Sequence, residues 1–302
     1  MLILDMYRRL FRHEEWNIGI VPKPITTFLD QNVCPRVNWF PKLGESKFLA
    51  DPFGIVKRDK IYVYCEEYDY RILKGRIVCI EVSAEGMASR PMDAIVLPHH
   101  VSYPFLFEYD SELFCVPETA QAREICLYKN VDFPCGWRKV ATLVSDFAGR
   151  DATVFLHEGS WWLACTAPGC DGEISRELYL WYSSSPLGPW RPHTANPVKR
   201  DLSSSRPAGT PFVHQDQLYR PAQDCSKGYG RRIVINRVTK LTRSEFAEEK
   251  ASVVEPFLNG PYPDGVHTIS TVGNTTLIDA KRLAFHASAF RSALRDTLAS
   301  GF

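Results

Sequence analysis

The sequence predicts an all-β protein, a single five-bladed β-propeller over residues 1–302. A strand–turn–strand unit recurs five times along the chain. Each unit is followed by further strand-like segments, giving about four strands per roughly 50 residues, the period of a propeller blade. The composition agrees: 12% aromatic residues and 21 prolines fit a turn-rich β protein, and 45% hydrophobic residues supply a core. A β-sandwich with chance internal similarity is the competing fold.

Residues 1–15 read as a short helical lead-in. Trp16–Val21 is a strand, ended by Pro22 and Pro24. Val37-Asn38-Trp39-Phe40 is a second short extended piece. The first repeat is Ala50-Asp51-Pro52-Phe53-Gly54-Ile55-Val56, a turn, then Ile61-Tyr62-Val63-Tyr64-Cys65-Glu66-Glu67. The second pairs Ser102–Phe107 with Leu113–Thr119, and the third pairs Arg150–Phe155 with Trp161–Thr166. The fourth pairs Ser205–Val213 with Leu218–Asp224, and the fifth pairs Val266–Ser270 with Thr276–Asp279. Blades therefore start near positions 51, 103, 151, 206 and 267, in steps of 52, 48, 55 and 61 residues. Third strands follow at Arg76–Ile80, Glu124–Tyr128, Leu178–Tyr182 and Ile233–Val238. Outer strands follow at Asp93–Leu97 and Trp137–Ala141. The fifth unit runs short of strands, so Trp16–Val21 is expected to close the ring. Apolar residues at Phe285, Phe290, Leu294 and Leu298 predict a short C-terminal helix over Ala284–Leu298.

Net charge narrows the partners. With 36 basic and 35 acidic side chains the chain carries +1, which argues against nucleic acid or an anionic membrane as the main partner. No stretch approaches the ~18 apolar residues of a membrane span. The N-terminal apolar run is too short for a secretory signal. Nine cysteines, several inside strands, fit reduced and buried thiols, so the expected location is cytoplasmic.

In a propeller the inner strands converge on one axis. Their starts carry Asp51, Tyr103, Asp151, Arg206 and His267. The antiparallel second strands return to the same mouth with Glu66-Glu67, Glu118, Thr166 and Gln223-Asp224. Carboxylates gathered in one pocket suit glycosidic bond chemistry, where one is protonated and another ionised. A nearby arginine stabilises a carboxylate or binds an anionic group. Against this stands the reading that Asp51 and Asp151 only bond backbone amides in tight turns. The sequence places no His, Asp or Cys cluster at metal spacing, so no metal is assigned. Trp39, Trp161, Trp162 and Trp181 fit blade packing better than sugar stacking. Gly228–Arg232 reads as a turn and His99-His100 as loop residues.

Ala50–Gly54 and Gly149–Ala152 resemble the first- and third-blade motifs of the arabinanase, β-xylosidase and invertase-type glycoside hydrolases. So does the blade-three tail Leu180–Trp190. That resemblance implies that Asp51 is the base or nucleophile and that Asp151 tunes and orients. It also implies that a cation on the axis near His267 is compatible with the fold. Those enzymes take their acid from a blade-four Glu, which this chain lacks. Glu118, Glu67 or His267 would have to serve.

A second resemblance covers nearly the whole chain. Glu15–Ile20, Ala50–Phe53, Ser102–Phe105, Pro117–Thr119, Arg150–Thr153, Ser205–Gly209, Tyr219–Cys225 and Gly265–Thr268 resemble the N-terminal propeller of plant glucosamine inositolphosphorylceramide transferases. Similar propellers occur in bacteria, some attached to formyltransferase-like domains. The resemblance implies carbohydrate or glycoconjugate metabolism. The expected activity is hydrolysis or transfer at a glycosidic bond, with Asp51, Asp151, Glu118 and Glu67 as catalytic candidates. Tyr103, Arg150, Arg206, Arg220, Gln223, Asp224 and His267 are the substrate-binding candidates. The alternative is a non-catalytic sugar-binding propeller serving a partner transferase or formyltransferase.

Overall fold

The computed structural model describes residues 12–168, 172 and 175–285. Two strands come first: β1 (Arg12–Val21) and the short β2 (Asn38–Trp39). Blade one follows as β3 (Lys47–Lys57), β4 (Lys60–Asp69), β5 (Lys74–Val82) and β6 (Met92–Ile95). Blade two is β7 (Ser102–Tyr109), β8 (Glu112–Glu118), β9 (Glu124–Asp132) and β10 (Gly136–Ser145). Blade three is β11 (Arg150–His157), β12 (Ser160–Ala167) and β13 (Glu177–Ser183), with an outer edge split into β14 (Arg191–Pro192) and β15 (Lys199–Arg200). Blade four is β16 (Phe212–His214), β17 (Gln217–Asp224), β18 (Arg232–Leu241) and β19 (Phe246–Val254). The chain returns with β20 (Ile269–Val272) and β21 (Thr275–Phe285).

The fifth sheet has the order β2-β1-β21-β20, so the two ends of the chain share one blade. β1 pairs antiparallel with β21 along its whole length, from Arg12↔Phe285 to Val21↔Thr276. Ring closure by Trp16–Val21 is thus as expected. The pairing reaches further back, however, because residues 12–15 extend the strand instead of forming a helical lead-in. At the other end Ala284 and Phe285 continue β21 instead of opening a helix. The rest of the expected C-terminal helix lies outside the described residues.

Apolar side chains alternate along each strand and meet those of the next blade. Five buried clusters result, one at each blade boundary. Ile77 and Cys79 of blade one pack on Cys115 and Cys126 of blade two, and Phe105 of blade two on Val154 of blade three. Trp162 and Leu180 meet Leu218 of blade four, and Ile233 of blade four meets Ile269 of blade five. Ile18 and Leu277 of blade five close the circle on Leu49 and Val63 of blade one. Trp162 and Trp181 belong to these clusters, as packing residues.

The inner strands share one device. Asp51, Tyr103 and Asp151 have φ of 53°, 44° and 53°, and at each the register with the second strand slips. The bulge re-aims these side chains toward the axis. Blade four departs from it. Pro207 and Pro211 lack N–H donors, so its axial segment is held by single bridges. Gly209 there has φ of 121° and bridges in parallel to Ile269 of blade five. A Cβ at 209 would meet the Ile269 oxygen at 1.7 Å.

Gly209→Ala is expected to lose at least about 3 kcal/mol of stability, since backbone strain and a backbone clash combine. Urea titration of the variant checks this. A change under about 1 kcal/mol would contradict the close blade-four to blade-five contact.

Candidate functional site

The axial end of each second strand faces the start of its own inner strand. Ala50 pairs with Glu66, Ser102 with Glu118 and Arg150 with Thr166. Backbone bonds from Gln223 to Arg206 and from Asp279 to Thr268 complete the series. The mouth therefore collects Glu66, Glu118, Thr166, Gln223 and Asp279 beside Asp51, Tyr103, Asp151, Arg206 and His267. Most are at least nine-tenths buried.

On the blade-five side, Asp279 is fully buried. Its carboxylate accepts backbone N–H groups from Asp51, His267 and Thr268 at 2.9–3.1 Å. His267 stands between two carboxylates, with Nδ1 2.8 Å from Asp279 and Nε2 3.3 Å from Asp51. Burial alone would lower the His267 pKa, but Asp279 and Asp51 outweigh it and raise it. Asp51 also accepts the Thr268 hydroxyl at 2.7 Å. Burial pushes the Asp51 carboxyl up to about 6, with Asp279 and Asp151 adding to it and His267 opposing.

Ligand atoms of Asp51, His267 and Asp279 lie within 4.8 Å of one another, close enough to share a cation. The sequence hid this set because its members are distant along the chain. The imidazole, with both nitrogens on carboxylates, already supplies the positive charge between them when protonated. A cation would displace its protons.

On the opposite side Asp151 is the hub. One of its oxygens accepts Arg206 Nε and, at 3.1 Å, Gln223 Nε2. Glu118 also contacts the Asp151 carboxylate, and Arg150 Nη1 lies 3.4 Å from Glu118. Burial first, and Asp151 next, push the Glu118 pKa up to about 8, against the pull of Arg150 and Arg206. Arg206 uses only its Nε on Asp151. Its guanidinium lies 4.9 Å from the centre of the Tyr229 ring.

Glu66 lies between the two sides. A Cβ at Gly75 would sit 2.1 Å from its Oε1, so glycine makes room for it. His100 accepts the Gly75 N–H on Nδ1 at 3.0 Å and turns Nε2 to within 3.6 Å of Glu66. Burial, and then Arg150, hold the His100 pKa down at about 4, so the ring is neutral. Burial first, then the Asp51, Glu118, Asp151 and Asp279 carboxylates, raise Glu66 well above the usual range. Glu66 Oε1, Arg150 Nε and Thr166 Oγ1 are buried without a hydrogen-bond partner among the described residues.

Several expected residues fall elsewhere. Glu67, on the opposite face of β4 from Glu66, pairs with Lys47 at 2.7 Å and Arg76 at 2.8 Å, away from the mouth. Arg220 and Asp224 share the face of β17 that excludes Gln223. Arg220 forms a buried pair with Glu248 and Asp224 binds Arg231 and Arg232. Tyr103 is fully buried; its hydroxyl meets Thr153 at 2.9 Å and the Gly209 N–H at 2.7 Å. Four residues the sequence did not single out join the mouth: Asp279, His100, Trp16 and Tyr229. The Trp16 and His267 ring centres are 4.0 Å apart, and those of Tyr229 and His267 5.2 Å.

The family described as "Glucosamine inositolphosphorylceramide transferase 1, N-terminal" matches residues 37–257. The Arabidopsis thaliana protein named glucosamine inositolphosphorylceramide transferase 1 is 35% identical over 208 residues, 67% of this chain and 27% of its own. The Oryza sativa subsp. japonica protein of that name is 36% identical, covering 67% and 28%. This chain thus spans little more than a quarter of the relatives it matches. Among solved structures, a family 117 glycoside hydrolase from Zobellia galactanivorans aligns over 90% of each chain, with TM-score 0.57 and 13% identity. An α-L-arabinofuranosidase from Podospora anserina aligns over 78% of this chain and 90% of its own, with TM-score 0.53 and 12% identity. At such identities the likeness is one of fold.

The crowded carboxyls make stability depend on pH. Glu118 has a raised folded pKa, so its contribution is full below about 4.5 and is lost as pH rises through about 8. His267 acts in the same direction. Stability is expected to fall as pH rises from about 4.5 to about 8, and Glu118→Gln to flatten that slope. Denaturant unfolding across the range measures it; parallel slopes for both proteins would refute the assignment.

Proposed function

The chain belongs to the family of glucosamine inositolphosphorylceramide transferase 1 N-terminal domains, and from that premise we propose that its axial mouth acts on a sugar or glycoconjugate. The reaction is hydrolysis or transfer at a glycosidic bond. One observation carries the reading: two carboxyls at one mouth are driven to different protonation states, Glu118 to about 8 and Asp51 to about 6. Near pH 7 the first is mainly a proton donor and the second mainly a carboxylate, the division of labour this chemistry requires.

The roles follow from the contacts. Glu118 donates its proton to the leaving oxygen, and the neighbouring Asp151 carboxylate favours the protonated form of Glu118 that this requires. Asp51, with Thr268 and His267 on its oxygens, acts as base or nucleophile. Asp151 fixes Arg206 and Gln223, leaving the terminal Arg206 N–H groups for substrate hydroxyls or an anionic substituent. The orphaned atoms of Glu66, Arg150 and Thr166 are further ligand partners, since buried polar groups require one.

A second reading keeps the pocket and removes the chemistry: a sugar-binding propeller that serves a glycosyltransferase or formyltransferase. The absence of a blade-four Glu favours it, because Arg206 and Gln223 occupy that sector.

A panel of aryl glycosides separates the two. The catalytic reading expects turnover with a bell-shaped kcat/KM profile, limbs near pH 6 and 8. Asp51→Asn should remove at least about a hundredfold of that activity while the protein stays folded. Saturable binding on a sugar array with no product after long incubation supports the second reading. Unchanged turnover in Asp51→Asn would sink the first.

A further inference from the structure

A second polar site lies on the face of the ring away from the axial mouth. Register along the blade-three strands sets Trp161 opposite Ser183 and Tyr182 opposite Arg191. Ser160, Tyr182, Ser183, Ser184 and Arg191 thereby line one end of blade three. Arg243, from the β18–β19 turn of blade four, completes a cavity of about 270 Å³. Ser160 is six residues along β12 from Thr166 at the mouth, a separation of about 20 Å at strand rise.

The lining selects for negative charge. No carboxylate side chain lines this cavity, and its polar side chains are all hydrogen-bond donors. Among the described residues, neither Arg191 nor Arg243 forms an ion pair, whereas Arg123, Arg220 and Arg232 do. Arg243 is also held in place. Its guanidinium lies 5.1 Å from the centre of the Tyr182 ring, and its carbonyl accepts the Thr194 N–H at 3.2 Å and the Thr194 hydroxyl at 3.4 Å. Blade three therefore positions a blade-four arginine from both its ends. Ser183 is only 6% exposed; its oxygen accepts the Ser185 N–H, so its own proton remains to be donated.

We infer that this inter-blade cavity is a binding site for a tetrahedral oxyanion, the phosphate or sulfate group of a sugar ester or the free ion. Two guanidinium forks and a row of hydroxyls match its oxygens. The volume holds the anion with part of an attached ring. The site is separate from the axial mouth and does not depend on the function proposed there.

Isothermal titration of the full chain at low salt with glucose 6-phosphate, glucose 6-sulfate and inorganic phosphate tests it, with glucose as the neutral control. Saturable one-to-one binding of at least one anion is expected, with none of glucose. Arg191→Ala and Arg243→Ala should each weaken it about tenfold, and Arg243→Lys should weaken it too, since the fork is lost with the charge kept. Equal affinity for phosphate and the sugar phosphate would assign the site to the oxyanion alone; tighter binding of the ester would add the ring. Both substitutions are on exposed side chains, and circular dichroism confirms folding. No binding at millimolar concentration, equal binding of glucose, or undiminished binding in the folded double variant overturns the proposal.

Discussion

Several polar groups brought to the axis are held by a different blade from their own. Asp51 of blade one is held by Thr268 and His267 of blade five, and its N–H by Asp279. Tyr103 of blade two bridges Thr153 of blade three and Gly209 of blade four. Arg206 and Gln223 of blade four grip Asp151 of blade three. Ser270 of blade five donates to the Pro52 carbonyl of blade one at 2.5 Å. The apolar clusters press blades together face to face, but they are non-directional. The axial hydrogen bonds fix where each blade stands relative to the next, and the same atoms form the candidate site.

This double role explains the left-handed backbone at 51, 103 and 151. A regular strand would point these side chains into a blade boundary, where a carboxylate would be buried among apolar groups at a cost of several kcal/mol. The bulge turns them to the axis, where other polar groups wait. Aspartate accepts that conformation more readily than most residues. Tyr103 does not share that ease, and its two cross-blade bonds hold it there. Blade four reaches the same place by prolines and Gly209.

Much of this was legible because a blade is a local repeat. The inner and second strands of each unit adjoin in sequence, so the anchors and the ring order could be read from spacing. What escaped was decided by phase, by distance or by loops. Glu66 and Glu67 are neighbours of one type, and only the strand's phase against the bulge decides which faces the axis. The same holds for Gln223 against Arg220 and Asp224. Asp279 sits at the fifth second-strand end, matching Glu66 and Glu118, so the repeat itself contained the signal. Residues 12–15 pair with residues 282–285, far along the chain, and no local pattern records that. Tyr229 sits between two glycines in a turn and has no periodicity to read. His100 is visible only through its bond to Gly75.

Charge explains why blade four brings an arginine. Five carboxylates already crowd the mouth: Asp51, Glu66, Glu118, Asp151 and Asp279. A sixth would raise the remaining pKa values further. Arg206 instead takes one oxygen of Asp151, and that anion in turn keeps a proton on Glu118. In the proposed reaction the proton donor accordingly sits on blade two. Asp51 also feels Asp151, but its own counter-charge is His267, which Asp279 holds from the other side. Different partners help two carboxyls in one mouth to hold different protonation states. The ring supplies that difference by drawing one set from blades three and four and the other from blade five.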